Sequence, residues 1–295
     1  MGSTEFNRER IARACVCCDS TDLGVSPAIL MPFVAHRALG WQPVEIDESW
    51  RLRTIRSGMA YSICNSLWCR TCGLLFLDLR FSQAELDALY ADYRGADYVA
   101  LREQYEPGYA LRNEGFDAGI RYMGSVESFL APHLPVQPRV LDWGGDTGRN
   151  TPFAGRRALC EVYDISDKPA LPGVGKVTRE AAFATSYDLV VCSNVLEHVP
   201  YPRDLIAELR RTLGPDTVLY LEVPHEEVVR THRGPVDLNR QKRHWHEHIN
   251  FFSRESLLRM VRAGGMEIVA VNELHIVAEE RPVALLQLAC TIGKS

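Results

Sequence analysis

The chain reads as an α/β protein built on a largely parallel sheet, placed behind a small cysteine module and a helical linker. Three observations predict this. Six of the nine cysteines lie before residue 73, in a stretch of mixed periodicity that holds two Cys-x-x-Cys pairs. Residues 82–131 carry helical spacing, interrupted at Pro107-Gly108. From Arg139 onward, short apolar runs alternate with helical stretches, the pattern of strands covered on both faces. The expected organisation is therefore a cysteine module over 1–81, a helical linker or lid over 82–131 and an α/β domain over 132–295. A chain of 295 residues is long enough for a large core and a smaller unit beside it.

Taken in order, Cys15-x-x-Cys18 and Cys69-x-x-Cys72-Gly73 each turn two thiolates toward one tetrahedral ion. Structural Zn²⁺ is expected there, with Cys17 and Cys64 as alternative ligands. The long insertion between the pairs is tolerable because loop-closure entropy grows only logarithmically. Four thiolates saturate the ion, so the metal would have no open position for a substrate. Ser82 and Glu85 form a capping box, and Leu86, Leu89, Tyr90 and Tyr93 put an apolar stripe on a helix from Ser82 to Tyr93. Tyr98, Tyr105 and Tyr109 with Arg102 and Arg112 fit either a hydrogen-bonding lid or ordinary helix packing. Pro132, Pro135 and Pro138 mark the linker that follows.

Expected strands are Arg139 to Trp143, Glu161 to Ile165, Tyr187 to Cys192 and Thr217 to Val223. A helix from Tyr201 to Leu213 is stopped by Gly214-Pro215, and Ser253 and Ser256 introduce another that runs to Ala263. Met266 to Val271 and Val283 to Cys290 are expected to close the chain as an antiparallel hairpin at a sheet edge.

Asp142-Trp143-Gly144-Gly145-Asp146-Thr147-Gly148 follows the first of these strands and is expected to open a helix, which is where a nucleotide-binding turn belongs. Asp164 ends the second strand, in place to accept both hydroxyls of a ribose. The turn departs from a regular G-x-G-x-G at Asp146. A carboxylate there repels a pyrophosphate and suits a cationic ligand.

These residues, with the run Tyr187 to Val199 that contains Ser193, Asn194 and His198, resemble class I S-adenosylmethionine-dependent methyltransferases over Arg139 to about Val271. The resemblance implies a Rossmann-like seven-stranded methyltransferase sheet binding S-adenosylmethionine, or S-adenosylhomocysteine after transfer. Carried over by position, Asp142, Gly144, Gly145, Asp146 and Gly148 surround the methionine part. Asp164 binds the ribose, and Ser193 and Asn194 lie in the turn facing the transferred methyl. The cysteine pairs and the Gly-Leu-Leu-Phe-Leu-Asp after Cys72 resemble the zinc-binding N-terminal domain, a zinc ribbon, of bacterial sugar and polysaccharide-pathway methyltransferases.

His244-Trp245-His246-Glu247-His248 is the most unusual stretch. In an extended segment the three histidines share one face, which suits a metal, a base or a hydrogen-bonded structural cluster. In the sugar methyltransferases that this chain resembles, a Glu-His pair before two aromatics lies beside the substrate. That implies Glu247 and His248 as the groups that orient or deprotonate the acceptor. His198 and His225, after the fourth and fifth strands, are rivals at the ligand-facing sheet end. Arg240, Lys242 and Arg243 could hold the phosphate of a nucleotide sugar, or form a solvated basic face.

Composition narrows the partners. A net charge of -5 gives no long-range pull on nucleic acid or anionic lipid. This disfavours a second reading, an RNA methyltransferase gripping its substrate with the zinc module. A third, a non-catalytic donor-binding partner protein, is opposed by the intact glycine, acid and histidine positions. No apolar run approaches a membrane span, and MGSTEF lacks the apolar stretch of a secretory signal. Nine cysteines then read as thiols or metal ligands in a reducing cytoplasm. The expected acceptor is a small molecule, a sugar or nucleotide sugar methylated on oxygen or carbon.

Overall fold

A computed structural model describes residues 10–51, 56–117, 120–166, 168–233, 237–278 and 281–293. The first half supplies β1 (Leu23–Leu30), α1 (Pro32–Leu39), β2 (Val44–Ile46), β3 (Gly58–Ala60), β4 (Ile63–Cys69) and β5 (Leu75–Leu77). Four helices follow: α2 (Gln83–Tyr90), α3 (Ala96–Tyr105), α4 (Tyr109–Asp117) and α5 (Met123–Leu130). The capping box at Ser82 is present as expected, its hydroxyl accepting from Glu85 N. Such a cap is worth about 1 kcal/mol. The helix stops at Tyr90, short of Tyr93, because Asp92 and Arg94 take left-handed backbone angles. Pro107-Gly108 falls between α3 and α4, where the spacing placed a break.

The second half supplies β6 (Arg139–Trp143), β7 (Leu159–Tyr163), β8 (Gly175–Lys176), α6 (Arg179–Ala184), β9 (Leu189–Ser193), α7 (Pro202–Leu209) and β10 (Val218–Pro224). It continues with α8 (Glu227–Arg230), β11 (His244–Trp245), β12 (Asn250–Phe251), α9 (Arg254–Ala263), β13 (Met266–Ala278) and β14 (Arg281–Ile292). Seven strands form one sheet in the order β13-β14-β10-β9-β6-β7-β8. The five from β10 to β8 are parallel, and β14 and β13 join antiparallel, so β13 is the edge of the expected hairpin. Leu189 to Cys192 are all buried, as a strand covered on both faces requires. Strand order reverses between β6 and β9, which opens a crevice outside their carboxyl ends.

Two expectations are corrected. Residues 145–158 form turns and bends, with no helix after the glycine turn. Gly148, Phe153 and Gly155 have φ of 79°, 63° and 80°, outside the right-handed helical region, and Pro152 lacks a backbone donor. The Arg157 guanidinium serves the loop instead, donating to the carbonyls of Thr151 and Pro152 at 3.1 and 3.3 Å. The histidine stretch is also not one extended strand. β11 pairs in parallel with β1, β12 pairs antiparallel with β5, and the chain turns between them.

This second finding cuts across the expected partition. The N-terminal sheet has the order β11-β1-β4-β5-β12, so both its edge strands come from residues beyond 240. One core cluster likewise joins Cys15, Cys17, Cys69, Cys72 and Phe76 to Phe252, Leu257 and Met260 and on to Leu141 and Val190 of the large sheet. No helix among the described residues is long and apolar enough to cross a membrane.

Candidate active site

The loops after β6, β7, β9 and β10 meet at the crevice. Gly144 has φ 84° and donates to Tyr163 O at 2.7 Å, drawing the loops after β6 and β7 together. A Cβ on Gly144 would stand 2.6 Å from a Val195 methyl, so glycine lets the turn pack directly on the loop after β9. Asp164, the residue after β7, is held at the mouth. Its Oδ2 accepts from Asp146 N at 2.8 Å and its Oδ1 from Ser166 N at 2.7 Å, leaving each oxygen a lone pair. Asp146 accepts from Ser166 Oγ at 3.0 Å and lies 3.7 Å from the Lys168 ammonium. Beneath them Asp142 is buried at 4% exposure and accepts from Thr151 Oγ1 at 2.6 Å. Burial lifts its carboxyl from 3.8 to about 6. Three carboxylates around one turn are a poor cradle for a pyrophosphate and a fitting one for a cationic ligand.

Ser193 and Asn194 take part in a network that the sequence reading did not anticipate. Glu222 of β10, 1% exposed, accepts at Oε1 from Tyr122 OH, Ser193 Oγ and Asn194 Nδ2 at 2.9, 2.9 and 3.3 Å. Its Oε2 accepts from Tyr220 OH at 2.6 Å and Gln287 Nε2 at 2.8 Å. The network fixes the start of the loop after β9. Its one sequence signal is an acid inside an otherwise apolar strand.

That loop continues to Glu197 and His198. The carbonyl of Glu197 accepts from Ile249 N and Asn250 N at 2.7 and 3.1 Å, docking the histidine segment on it. Asn250 Nδ2 donates to Leu196 O and Val199 O, and the buried Arg80 donates to Asn250 Oδ1 at 2.9 Å and Pro200 O at 3.0 Å. The result brings Glu197, His198 and His248 together, one ligand-type atom of each within 4.8 Å of the others. The two imidazoles meet edge to face with centroids 4.6 Å apart. His198 Nδ1 lies 2.8 Å from Tyr90 OH and 3.1 Å from Glu247 O. Burial drops its pKa to about 3, so it is neutral. Burial raises Glu197 to about 7.

The carboxylate that meets His248 is Glu226, not its neighbour Glu247. His248 Nδ1 is 3.2 Å from Glu226 Oε1, and against the opposing effect of burial this contact holds the imidazole above its ordinary value. Glu247 turns the other way and accepts from Arg102 Nη1 at 2.8 Å and Nη2 at 3.4 Å. Despite burial, that guanidinium keeps Glu247 at about 2. Arg102 is flanked by Phe33 and Tyr109 and also pairs with Glu106, so the linker helices tie into the site through it. His244 and His246 meet edge to face with centroids 5.8 Å apart, and His246 lies 3.8 Å from Glu106. His225 sits elsewhere, its Nδ1 3.3 Å from Glu273 of β13. Lys242 rests over Phe251 and Trp245 at 4.3 and 5.1 Å, and burial lowers it to about 8.

Cys15, Cys18, Cys69 and Cys72 converge as a second group, their sulfurs within 4.8 Å of one another. Cys15–Cys72 and Cys18–Cys69 are both 3.6 Å. A tetrahedral ion 2.3 Å from each thiolate sets sulfurs about 3.8 Å apart, so the donor set and its spacing fit zinc. The alternative ligands fall away: Cys17 Sγ donates to Ser256 O at 3.1 Å, and Cys64 packs in a separate apolar cluster.

A family described as a methyltransferase domain matches residues 117–271. The chain belongs to this family. A 93-residue stretch of the chain is 30% identical to the ubiquinone biosynthesis O-methyltransferase of Idiomarina loihiensis, covering 30% of this chain and 38% of that protein. The match therefore spans little more than a third of that relative's length. Among solved structures, the 1,6-didemethyltoxoflavin-N1-methyltransferase of Burkholderia thailandensis is 18% identical, with 66% of this chain and 89% of that one covered and a TM-score of 0.44. The glycopeptide N-methyltransferase MtfA, bound to sinefungin, is 14% identical over 59% of this chain and 95% of its own, with a TM-score of 0.45.

Proposed function

We propose that this methyltransferase-family chain transfers a methyl group from S-adenosylmethionine to a small-molecule acceptor, most fittingly a sugar or nucleotide sugar. The donor, when bound, supplies a methyl made electrophilic by its sulfonium. The observation that carries the reading is a shared loop. Residues 194–198 pack against the glycine turn on one side through Val195 and end in the Glu197–His198–His248 cluster on the other. A donor in the crevice and an acceptor at the cluster would thus be positioned by one and the same loop, which is what bringing nucleophile and methyl into line requires.

In this reading Asp164 holds the ribose hydroxyls, and Asp142 and Asp146 face the cationic methionine end. His248, backed by Glu226, orients and activates the acceptor. Ser193 and Asn194 set the loop through Glu222. Lys242, with Arg240 and Arg243 near it in the sequence, would meet an acceptor phosphate, which favours the nucleotide sugar within the sugar class. Cys15, Cys18, Cys69 and Cys72 hold one structural Zn²⁺.

The test is a mass-spectrometric screen of nucleotide sugars and polysaccharide precursors for a mass gain of one methyl group, with His248→Asn beside the parent chain. Turnover should fall by about 10² to 10⁴ in the variant while donor affinity is unchanged. Loss of donor binding would return the histidine cluster to a purely structural role. Absence of methyl transfer to every sugar class would remove the acceptor assignment.

A further inference from the structure

The acceptor-side cluster contains an anomaly that folding alone does not explain. Glu197 is 2% exposed, and neither of its carboxylate oxygens has a hydrogen-bond partner among the described residues. A buried carboxylate left without donors is costly and rare. Its nearest polar neighbour makes matters worse. Glu247 O can only accept, so its contact with His198 Nδ1 favours the proton on that nitrogen, with Tyr90 OH accepting beside it, and that tautomer leaves Nε2 as a bare lone pair. This lone pair faces Glu197 Oε1 at 3.8 Å, too far for a hydrogen bond between them. His248 closes the group, its Nδ1 engaged by Glu226.

Ligand-type atoms of three side chains thus converge on one point, and the carboxylate among them has no hydrogen-bond partner among the described residues. We infer that Glu197, His198 and His248 form a binding site for one divalent transition-metal ion, distinct from the four-cysteine site. Adjacent ligands about 2.1 Å from an octahedral ion are about 3.0 Å apart and opposite ones about 4.2 Å, so His198 Nε2 and Glu197 Oε1, now 3.8 Å apart, would close by about 0.8 Å, a shift that side-chain rotation can supply. Two imidazoles and one carboxylate select Mn²⁺, Fe²⁺, Co²⁺ or Zn²⁺ over Mg²⁺ and Ca²⁺. The outer contacts fit as well. A backbone carbonyl and Tyr90 OH hold His198 at its far nitrogen, and the Glu226 carboxylate holds His248, the usual support for metal-bound imidazoles.

Three protein ligands leave positions open, unlike the saturated cysteine site. The role assigned to those positions rests on the methyltransferase reading: they would hold an acceptor through oxygen, which makes the acceptor atom a hydroxyl rather than a carbon. The site itself does not depend on that reading.

The test is therefore binding, not turnover. The full chain, with zinc already at its cysteines, is titrated with Mn²⁺ and followed by electron paramagnetic resonance without donor or acceptor. One saturable Mn²⁺ per chain is expected. Glu197→Gln should weaken it by at least about 100-fold, while His133→Asn, in the segment that precedes β6, should leave it unchanged. Glutamine matches the shape and carries no charge, so circular dichroism and donor binding should stay at parental values in that variant. Absence of saturable Mn²⁺ binding, or equal binding by Glu197→Gln, would overturn the site. Failure of methyl transfer with Mn²⁺ binding intact would instead count only against the methyltransferase reading.

Discussion

Replacing Asp142 by asparagine should make the donor-free protein more stable and its donor binding weaker. Asp142 is 4% exposed, its carboxylate accepts from Thr151, and burial raises its pKa from 3.8 to about 6. A raised carboxyl pKa means that the folded chain binds more protons than the unfolded one between these values, so stability falls as pH rises from about 4 to 6 and then levels. The full penalty, reached above pH 6, is about 3 kcal/mol, and about 1 kcal/mol of it is already present at pH 4.5. Asparagine carries no such penalty, and the Thr151 hydroxyl can turn to donate to its amide oxygen. At about 2 to 3 °C per kcal/mol, the variant should melt about 6 to 9 °C above the parent at pH 7.5 and only about 2 to 3 °C above it at pH 4.5. Scanning fluorimetry across this range reads both numbers. Calorimetry with S-adenosylmethionine at pH 7.5 should show weaker binding, because in the proposed site the lost charge faces the cationic end of the donor. An equal gain at both pH values, or a loss at pH 7.5, would refute the burial argument. Undiminished donor affinity would remove Asp142 from the donor site.

Two further outcomes follow from the site geometry. Asp164→Ala should weaken donor binding by about 10- to 100-fold, the range for hydrogen bonds to a charged group, and unchanged affinity by calorimetry would cancel the ribose assignment. Protein purified without added zinc should return about one equivalent on metal analysis, and Cys72→Ser should lose it; parental zinc content in that variant would exclude the four-cysteine site.

Much of the architecture was legible because it depends on local rules. The buried parallel strands are apolar runs, and the edges of β6 agree with the expected Arg139 to Trp143. Ser82 and Ser253 announce their helices through side-chain caps that need no tertiary partner. The four cysteines were legible for the same reason, since two-residue spacing already turns each pair inward. What was not legible depended on chain direction over long separations. The sequence joined Glu247 and His248 as one pair beside the acceptor, but in the turn between β11 and β12 consecutive side chains diverge. Glu247 meets Arg102, 145 residues earlier in the chain, and His248 meets Glu226. Glu226 directly follows His225 at the ligand-facing end of β10, so position was the signal available for it. The absent helix after Gly148 has a plainer cause. Pro152 and three left-handed residues compress the segment before β7, an effect that the resemblance to a strand-turn-helix unit concealed.

The cysteine module is tied by direct contacts to the loop that carries Glu197 and His198 and is not an appendage to it. Ser253 Oγ, the cap of α9, donates to Cys72 O at 3.1 Å and occupies the space a Cβ on Gly73 would need, 2.8 Å from it. Cys17 donates to Ser256 in the first turn of the same helix. One residue before that cap, Phe252 packs in the core shared with Cys69 and Phe76, and Phe251 and Asn250 pair with β5. The carbonyl that receives Ile249 and Asn250 is that of Glu197. A run of direct contacts therefore leads from the cysteine turn through residues 249–253 to the loop that carries Glu197 and His198. Both ends of the histidine segment are strands of the N-terminal sheet, so His248 is positioned by that sheet while the loop opposite it is positioned by the large one. An ion closing the four cysteines would thus hold one wall of the acceptor site, which is a reason for a saturated, chemically inert metal to accompany this fold.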